Sequence, residues 1–323
     1  MSLGKQDFVM RRSSRAATGA EPAILTVAIC THNRSNAVAR CLAGLGPPHP
    51  AVDVLVVDSG SDGDEAEAIL RAAMAHGVEH MRLASVGLSA ARNAALAAAR
   101  GQWIAYIDDD ATPASDWVTV LLASIAQDPD LAATGGMILP QWQALLPAWW
   151  PQSLRAVLTI IDTVEPDAAA CADIEPFAAN IAFRRDVLTR FGGFPACLGR
   201  RGTLLLSNEE TYILRRLRKA HLRVRFNPAL VVHHEIARER LRPDWLVRRQ
   251  YWSGVSEAVM LAALGERRMA RAWRMAVHAA VLTPWLLWPR HSTSQIGLRC
   301  KAAFASGFVR GMLIEAHDGM AAV

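Results

Sequence analysis

The sequence holds no apolar run of the roughly 18–20 residues that a helix needs to cross a bilayer. Its nearest approach, Met275 to Trp288, is shorter and is broken by Pro284, so no membrane crossing is expected. Cysteine is sparse: Cys30, Cys41, Cys171, Cys197 and Cys300 are scattered, odd in number and without CxxC spacing. That speaks against a zinc ribbon or a disulfide framework and points to reduced thiols in a cytoplasmic protein. Residues 1–22 contain Lys5, Arg11, Arg12 and Arg15 but no apolar core of a secretory signal. They are expected to form a mobile basic arm, with a transit peptide as the alternative. Internal repeats and low-complexity tracts are absent, and the basic residues are not interleaved with an aromatic strand platform. No nucleic-acid partner is therefore expected.

What is present is a globular composition. Of 323 residues, 52% are apolar and 20% charged, with a net charge of +5. The length allows one large domain or two. The small positive excess suits an anionic ligand or an acidic membrane surface without choosing between them. Short β-rich runs alternate with helical spacing through the first half: strands at Ile24–Cys30, Val52–Val57, Met81–Ala84, Trp103–Ile107 and Leu131–Leu139. Helices are predicted over Ser35–Leu45, Asp62–Ala75 and Leu88–Arg100, the last capped by Gly101. This alternation predicts an α/β fold with a parallel sheet between helices, and ligands bind such sheets beyond the carboxyl ends of the strands. Pro140 to Glu175 reads as a loop with a short helix. Asn180–Arg185 and Leu222–Phe226 are further predicted strands, with a helix over Glu209–Ala220. From Pro243 the pattern is helical, with breaks near Gly265 and Pro284–Pro289.

Asp108-Asp109-Asp110 directly follow a predicted strand. Adjacent carboxylates repel one another, and hard oxygen ligands suit Mg²⁺ or Mn²⁺. The plainer reading is a solvated turn, with Asp110 capping a helix that starts near Pro113. Asp58 ends the second strand, where a carboxylate can accept from a ribose hydroxyl or a base N–H. Turn chemistry with Asp62 as a helix cap is the alternative. Gly87–Asn93 opens a helix on which Arg92 can meet a diphosphate or simply face solvent. Glu209 and Glu210 head another helix. They are candidates for a general base, or for stabilising the helix dipole with Asn208 as cap. His233-His234 close the run Leu230–Val232, as a metal ligand or as structural histidines.

Taken in order, Thr26–Arg34, Val57–Asp62, Gly87–Asn93 and Tyr106–Asp110 resemble family 2 glycosyltransferases of the GT-A fold. The resemblance continues through Asn180–Arg185, Phe191–Phe194, Asn208–Ala220 and His233-His234, covering residues 23–235. It implies a Rossmann-like, mostly parallel sheet with 23–139 as nucleotide-binding half and 140–235 as acceptor-binding half. Residues 236–323 form a helical extension. It also implies a nucleotide diphosphate sugar donor, with UDP-sugar favoured, a divalent cation and inversion at the anomeric carbon. By position, Thr31, Arg34, Asp58, Arg92, Asp108 and Asp109 would bind the donor. Asp110 and Asp108, with His234 or His233, would hold Mg²⁺ or Mn²⁺. Glu210, with Glu209 as competitor, would deprotonate the acceptor, and Asn180 and Trp142 would lie on the acceptor side.

Two departures stand out. Glu209-Glu210 replaces the family's Glu-Asp, and Ala179 replaces a glycine. The acceptor is expected to be a glycan or lipid-linked glycan precursor. The competing functions are a catalytically inactive nucleotide-sugar-binding protein of the same fold and a nucleotidyltransferase. Against the latter, Thr31–Arg34 is not a glycine-rich basic loop. In the C-terminal third, Trp245, Tyr251, Trp252, Trp273, Trp285 and Trp288 sit among many arginines. Two readings stand there: a peripheral contact with an anionic membrane at the inner face of the cell membrane, or a helical subdomain with its tryptophans in the core.

Overall fold

A computed structural model describes residues 8–11, 23–163, 171, 174–266, 269–286 and 293–317. The chain divides into two compact units. The first comprises Met1–Pro140, Ile161–Phe194 and Ile213–His234, and the second Gln141–Ile160, Pro195–Tyr212 and Glu235–Val323.

The first unit is built on one nine-stranded sheet. Its strands are β1 (Phe8–Arg11), β2 (Leu25–Thr31), β3 (Val52–Ser59), β4 (Glu79–Leu83), β5 (Trp103–Asp108), β6 (Ala111–Pro113), β7 (Leu131–Trp142), β8 (Asn180–Arg184) and β9 (Arg223–Ile236). They lie in the order β1-β4-β3-β2-β5-β8-β7-β9-β6. The four central strands β4-β3-β2-β5 are parallel. Their Val, Ile and Leu are buried on both faces, as strands covered by helices on each side must be. Outside them the β1–β4, β5–β8, β7–β8 and β6–β9 pairs are antiparallel. The helices of this unit are α1 (Ser35–Gly44), α2 (Gly63–Ala75), α3 (Leu88–Ala98), α4 (Trp117–Gln127) and α5 (Arg185–Arg190). The core joins Val27, Ile29, Val38, Val56, Ile69, Ile107, Trp117 and Leu121.

Several local expectations are corrected. Residues 8–11 are a strand, because the exposed edge of β4 offers unpaired backbone groups that Phe8–Arg11 fill. The rest of residues 1–22 lies outside the described residues. Gly101 is not a helix cap. The helix ends at Ala98, and Gly101 instead donates its N–H to the Thr26 hydroxyl at 3.0 Å, so close to the Leu25–Thr26 backbone that a Cβ would collide. No helix starts near Pro113. Ala111–Pro113 pairs with β9, and α4 begins only at Trp117. The runs at Leu222–Phe226 and Leu230–Val232 are one continuous strand.

Helix α6 (Glu209–Lys219) is shared between the units. The second unit also contains α7 (Pro243–Ala263), α8 (Met269–Leu286) and α9 (Thr293–His317). Helix α8 runs past Pro284, where a break was expected. Gly254 of α7 faces the Phe304 carbonyl and Gly307 of α9 faces the Tyr251 carbonyl, so this pair of helices approaches backbone to backbone. Trp245 packs against Trp150, Leu158 and Leu246, while Tyr251 and Trp252 pack against Leu198, Val255 and Val259. These aromatic residues are half-buried against the core. Trp273 is not. Arg267, Arg268 and Trp288 lie outside the described residues.

Asn180 ties the sheet together. Its amide donates to the Leu230 carbonyl at 2.8 Å and the Met137 carbonyl at 2.9 Å, and accepts from the Trp117 indole at 2.9 Å. Replacing it with alanine would strand one buried donor and two carbonyls, at roughly 1–3 kcal/mol for each group left unmatched. Asn180→Ala should therefore lower the thermal midpoint by several degrees, read from a melt monitored by circular dichroism. An unchanged midpoint would show that these three bonds do not hold the sheet.

Candidate active site at the strand ends

Parallel pairing brings the chemistry to one level. Thr31 of β2 stands beside Asp58 of β3, and Cys30 of β2 beside Asp108 of β5. The chain turns from β2 towards β3 on one side and later fills the other side with β5. The gap between β2 and β5 is thus the switch in strand order, where open α/β sheets bind ligands.

The three aspartates differ in burial and in partners. The side chain of Asp108 is part-exposed and accepts from Arg92 at 3.0 Å. Asp109 is buried; its carboxylate accepts from the Thr31 hydroxyl at 2.7 Å and from Arg34 at 3.1 Å. Asp110 meets the same Arg34 nitrogen at 3.0 Å and the His234 Nε2 at 3.3 Å. Burial, then the charge of Asp110, push the Asp109 carboxyl up to about 6, against the opposing pull of Arg34 and Thr31. Arg34 is held firmly charged, by Asp109 first and despite its own burial. One guanidinium thus bridges two neighbouring carboxylates.

Arg92 was expected near a diphosphate. The structure places it 3% exposed, bonded to Asp108, with its guanidinium 5.6 Å from the centre of the Phe194 ring. The Tyr106 hydroxyl donates to its backbone carbonyl at 3.0 Å, and Tyr106, Phe183 and Phe194 pack edge to face. This packing makes Arg92 a positioning residue for Asp108. Asp58 is fully buried. Its Oδ1 accepts the Ser61 N–H at 2.9 Å, while Oδ2 has no hydrogen-bond partner and lies 3.7 Å from Arg82 Nε. Asp62 caps no helix with its side chain. It pairs with Asn33, whose amide donates to its carboxylate at 2.8 Å and whose Oδ1 accepts its N–H at 2.8 Å.

Strand alternation separates the two histidines. His234 is buried and paired beside Ala111, whereas His233 is exposed on the opposite face. Of the two, His234 is the one that stands beside Asp110. Asn180 is also corrected. It is 0% exposed and bonded inside the sheet, so it offers no face to an acceptor.

Among the described residues no group of three or more His, Cys, Asp or Glu is arranged to hold a metal by itself. Asp110 and His234, 3.3 Å apart, could supply two ligands on one side. Mg²⁺ and Mn²⁺ commonly take one or two carboxylates and complete their shell with phosphate oxygens and water. This set fits a cation that arrives with a diphosphate.

Glu209, Glu210 and Trp142 belong to the second unit. Glu209 is buried and Glu210 half-buried at the start of α6. Burial and the charge of Arg200 push the Arg249 guanidinium down to about 10, with both glutamates pulling the other way. Trp142 packs at the edge of the Trp150 cluster, with the Arg155 guanidinium 6.0 Å from its ring centre. Sequence reasoning missed Arg82 and Arg249. Both lie in runs of ordinary surface character, and only the fold brings them to carboxylates.

Residues 26–188, half of the chain, match the family described as Glycosyl transferase family 2. A glucosyl-dolichyl phosphate glucuronosyltransferase of Haloferax volcanii is 30% identical over 175 residues, covering 54% of this chain and 56% of that protein. The succinoglycan biosynthesis protein ExoM of Rhizobium meliloti is 25% identical over 79% of this chain and 81% of its own. A pre-mycofactocin glycosyltransferase of Mycobacterium tuberculosis is 26% identical over 81% of this chain and 52% of its own. The chain thus spans little more than half the length of the Haloferax and mycobacterial relatives. Among solved structures, the mannosyltransferase PcManGT of Pyrobaculum calidifontis, in complex with GDP-Man and Mn²⁺, superposes with a TM-score of 0.59. The match covers 89% of both chains at 19% identity. At that identity the likeness establishes the fold, which is GT-A.

The raised Asp109 carboxyl gives a signed test. A folded state that binds a proton more tightly than the unfolded chain loses stability as pH rises, here from the ordinary carboxylate range near 4 through about 6. Removing Arg34 should deepen that loss. Arg34→Gln should therefore melt further below the parent at pH 7.5 than at pH 5, both without metal. Equal deficits at the two pH values would show that Arg34 does not neutralise the cluster.

Proposed function

The chain belongs to glycosyl transferase family 2, and from that premise we propose that it transfers a sugar from a nucleotide diphosphate sugar, UDP-sugar favoured, to an acceptor hydroxyl, with inversion and with Mg²⁺ or Mn²⁺. The observation that carries this reading is Asp58 Oδ2, a buried carboxylate oxygen without a hydrogen bond, beside the switch in strand order. Leaving such an oxygen without a hydrogen bond costs roughly 1–3 kcal/mol, offset in part by the Arg82 charge 3.7 Å away. A donor N–H from a nucleotide base removes that cost. Uracil brings a single imide N–H, as thymine does, which matches a single oxygen.

The remaining roles follow the sheet end. Asp108, held by Arg92, faces the ribose or the sugar. Asp110 and His234 fit the cation, which when bound supplies positive charge to the departing diphosphate. Arg34 lies on the open side of Asp109 and Asp110, with its side chain 41% exposed, and can turn from them to a phosphate. Asp109, itself held by the Thr31 hydroxyl, holds Arg34 in that place from beneath. Glu210, or Glu209 in its stead, takes the acceptor proton as general base. For the acceptor, the Haloferax relative's name supports a sugar on a polyprenyl phosphate, and the Rhizobium relative's name supports a polysaccharide precursor.

A thermal-shift panel of UDP, GDP, dTDP and CMP, each with Mn²⁺ or with EDTA, tests the donor site. A ligand at a hundred times its Kd adds about 2.7 kcal/mol to the native state. UDP with Mn²⁺ should raise the midpoint, and EDTA, Asp58→Asn or Asp110→Asn should each remove the rise. Glu210→Gln should keep the rise but abolish the slow release of UDP from a UDP-sugar. If no nucleotide shifts the protein, the donor assignment fails. If Glu210→Gln turns over like the parent, Glu210 is not the base. If the parent binds UDP but never turns over, the chain is a nucleotide-sugar-binding protein.

A further inference from the structure

Among the described residues, four of the nine large apolar side chains that stand exposed lie on one helix. On α8, Met269 is 77% exposed, Trp273 73%, Val277 45% and Val281 64%. They recur every four residues, about 40° beyond a full turn, and so form one slowly winding stripe. Ala270 and Ala280 are exposed beside it, and Arg274 and His278 are exposed along one border. The other face of α8 is filled. Ala272 and Met275 pack against Ala258, Leu261 and Phe308, and Arg271 pairs with Glu257 at 3.1 Å. Single exposed apolar residues need no explanation, but a contiguous stripe led by a tryptophan marks an interaction surface.

Charge identifies the occupant. Between Glu266 and Glu315 the sequence contains no Asp or Glu and eight Lys or Arg. At the chain's average of 30 acids in 323 residues, a stretch that long would hold about four. A second copy of the chain would bring the same positive charge to the contact and be repelled. A lipid surface with anionic headgroups brings the opposite charge and an apolar layer beneath it. Among the described residues no helix is long and apolar enough to cross a membrane, which leaves a helix lying in the surface as the geometry that uses the stripe.

We propose that α8 seats this chain on an anionic lipid surface, with Met269, Trp273, Val277 and Val281 entering the acyl boundary and Arg274 at the headgroups. The assignment rests on the second unit alone and does not depend on the donor reading.

Co-sedimentation of the full chain with vesicles tests it, using phosphatidylcholine alone and phosphatidylcholine mixed with phosphatidylglycerol. The chain should pellet with the mixed vesicles, weakly with the neutral ones, and less at high salt. The double variant Trp273→Gln/Val277→Gln should bind the mixed vesicles at least about tenfold more weakly, because both apolar side chains lose their burial. Its melting temperature should match the parent's, since both positions face water. Absence of pelleting with mixed vesicles, or undiminished binding by the double variant, overturns the proposal. So does light scattering that finds a dimer in the parent and a monomer in the variant, which would assign the stripe to contact between copies.

Discussion

Three successive carboxylates at the end of one strand must be kept from driving each other apart, and the first unit is arranged around that constraint. At the few ångströms separating such groups, repulsion is severe wherever water is excluded. The structure disperses it with partners drawn from several elements, one of them shared. Asp108 turns to Arg92 on α3, Asp109 to Thr31 at the end of β2 and to Arg34 just beyond it, and Asp110 to Arg34 and His234 on β9. The cost that remains is visible in the raised Asp109 carboxyl. A site that already needs positive charge is consistent with the proposed cation, bound together with a diphosphate.

The surrounding architecture serves these directions. Parallel pairing of β3, β2 and β5 puts Asp58, Thr31 and Asp108 at one level. Helix α3 is fixed by the Tyr106 hydroxyl on the Arg92 carbonyl and by aromatic packing over its guanidinium, so Arg92 reaches Asp108 in one orientation. The short strand Ala111–Pro113 sets His234 beside Asp110, and Asn180 binds β8, β7 and β9 into one surface beneath. Each device is a buried polar contact, of the kind that is expensive when half made and stabilising when complete.

Much of this was legible in the sequence. The strands ending at Asp58 and Asp108 announce themselves because both faces are covered and their residues are nearly all apolar. The order of the segments from Thr26–Arg34 to His233-His234 identified the family. What stayed hidden depends on pairing between distant segments. His233 and His234 differ only by the phase of a strand whose register is set by Ala111. Asn180 looked like a ligand residue because its three partners are spread over β7, β9 and Trp117. Arg34 was read as a donor contact, and its role between two aspartates needs the β2–β5 neighbourhood. Phe8–Arg11 carries too little pattern to announce a strand, and only the open edge of β4 orders it. In the second unit, composition alone could not sort the tryptophans. Packing around Leu158 and Val259 claims Trp245 and Trp252 and leaves Trp273 outside.

The most direct test of the aspartate cluster as a cation and diphosphate site is electron paramagnetic resonance of Mn²⁺, titrated with the chain in the presence and absence of UDP. Free Mn²⁺ gives a sharp signal that bound Mn²⁺ loses. With only Asp110 and His234 as protein ligands, binding should be weak alone and strong with UDP, one ion per chain, and should disappear in Asp110→Asn. Tight binding without nucleotide, or equal binding by the variant, would place the cation elsewhere and contradict the reading of the strand ends.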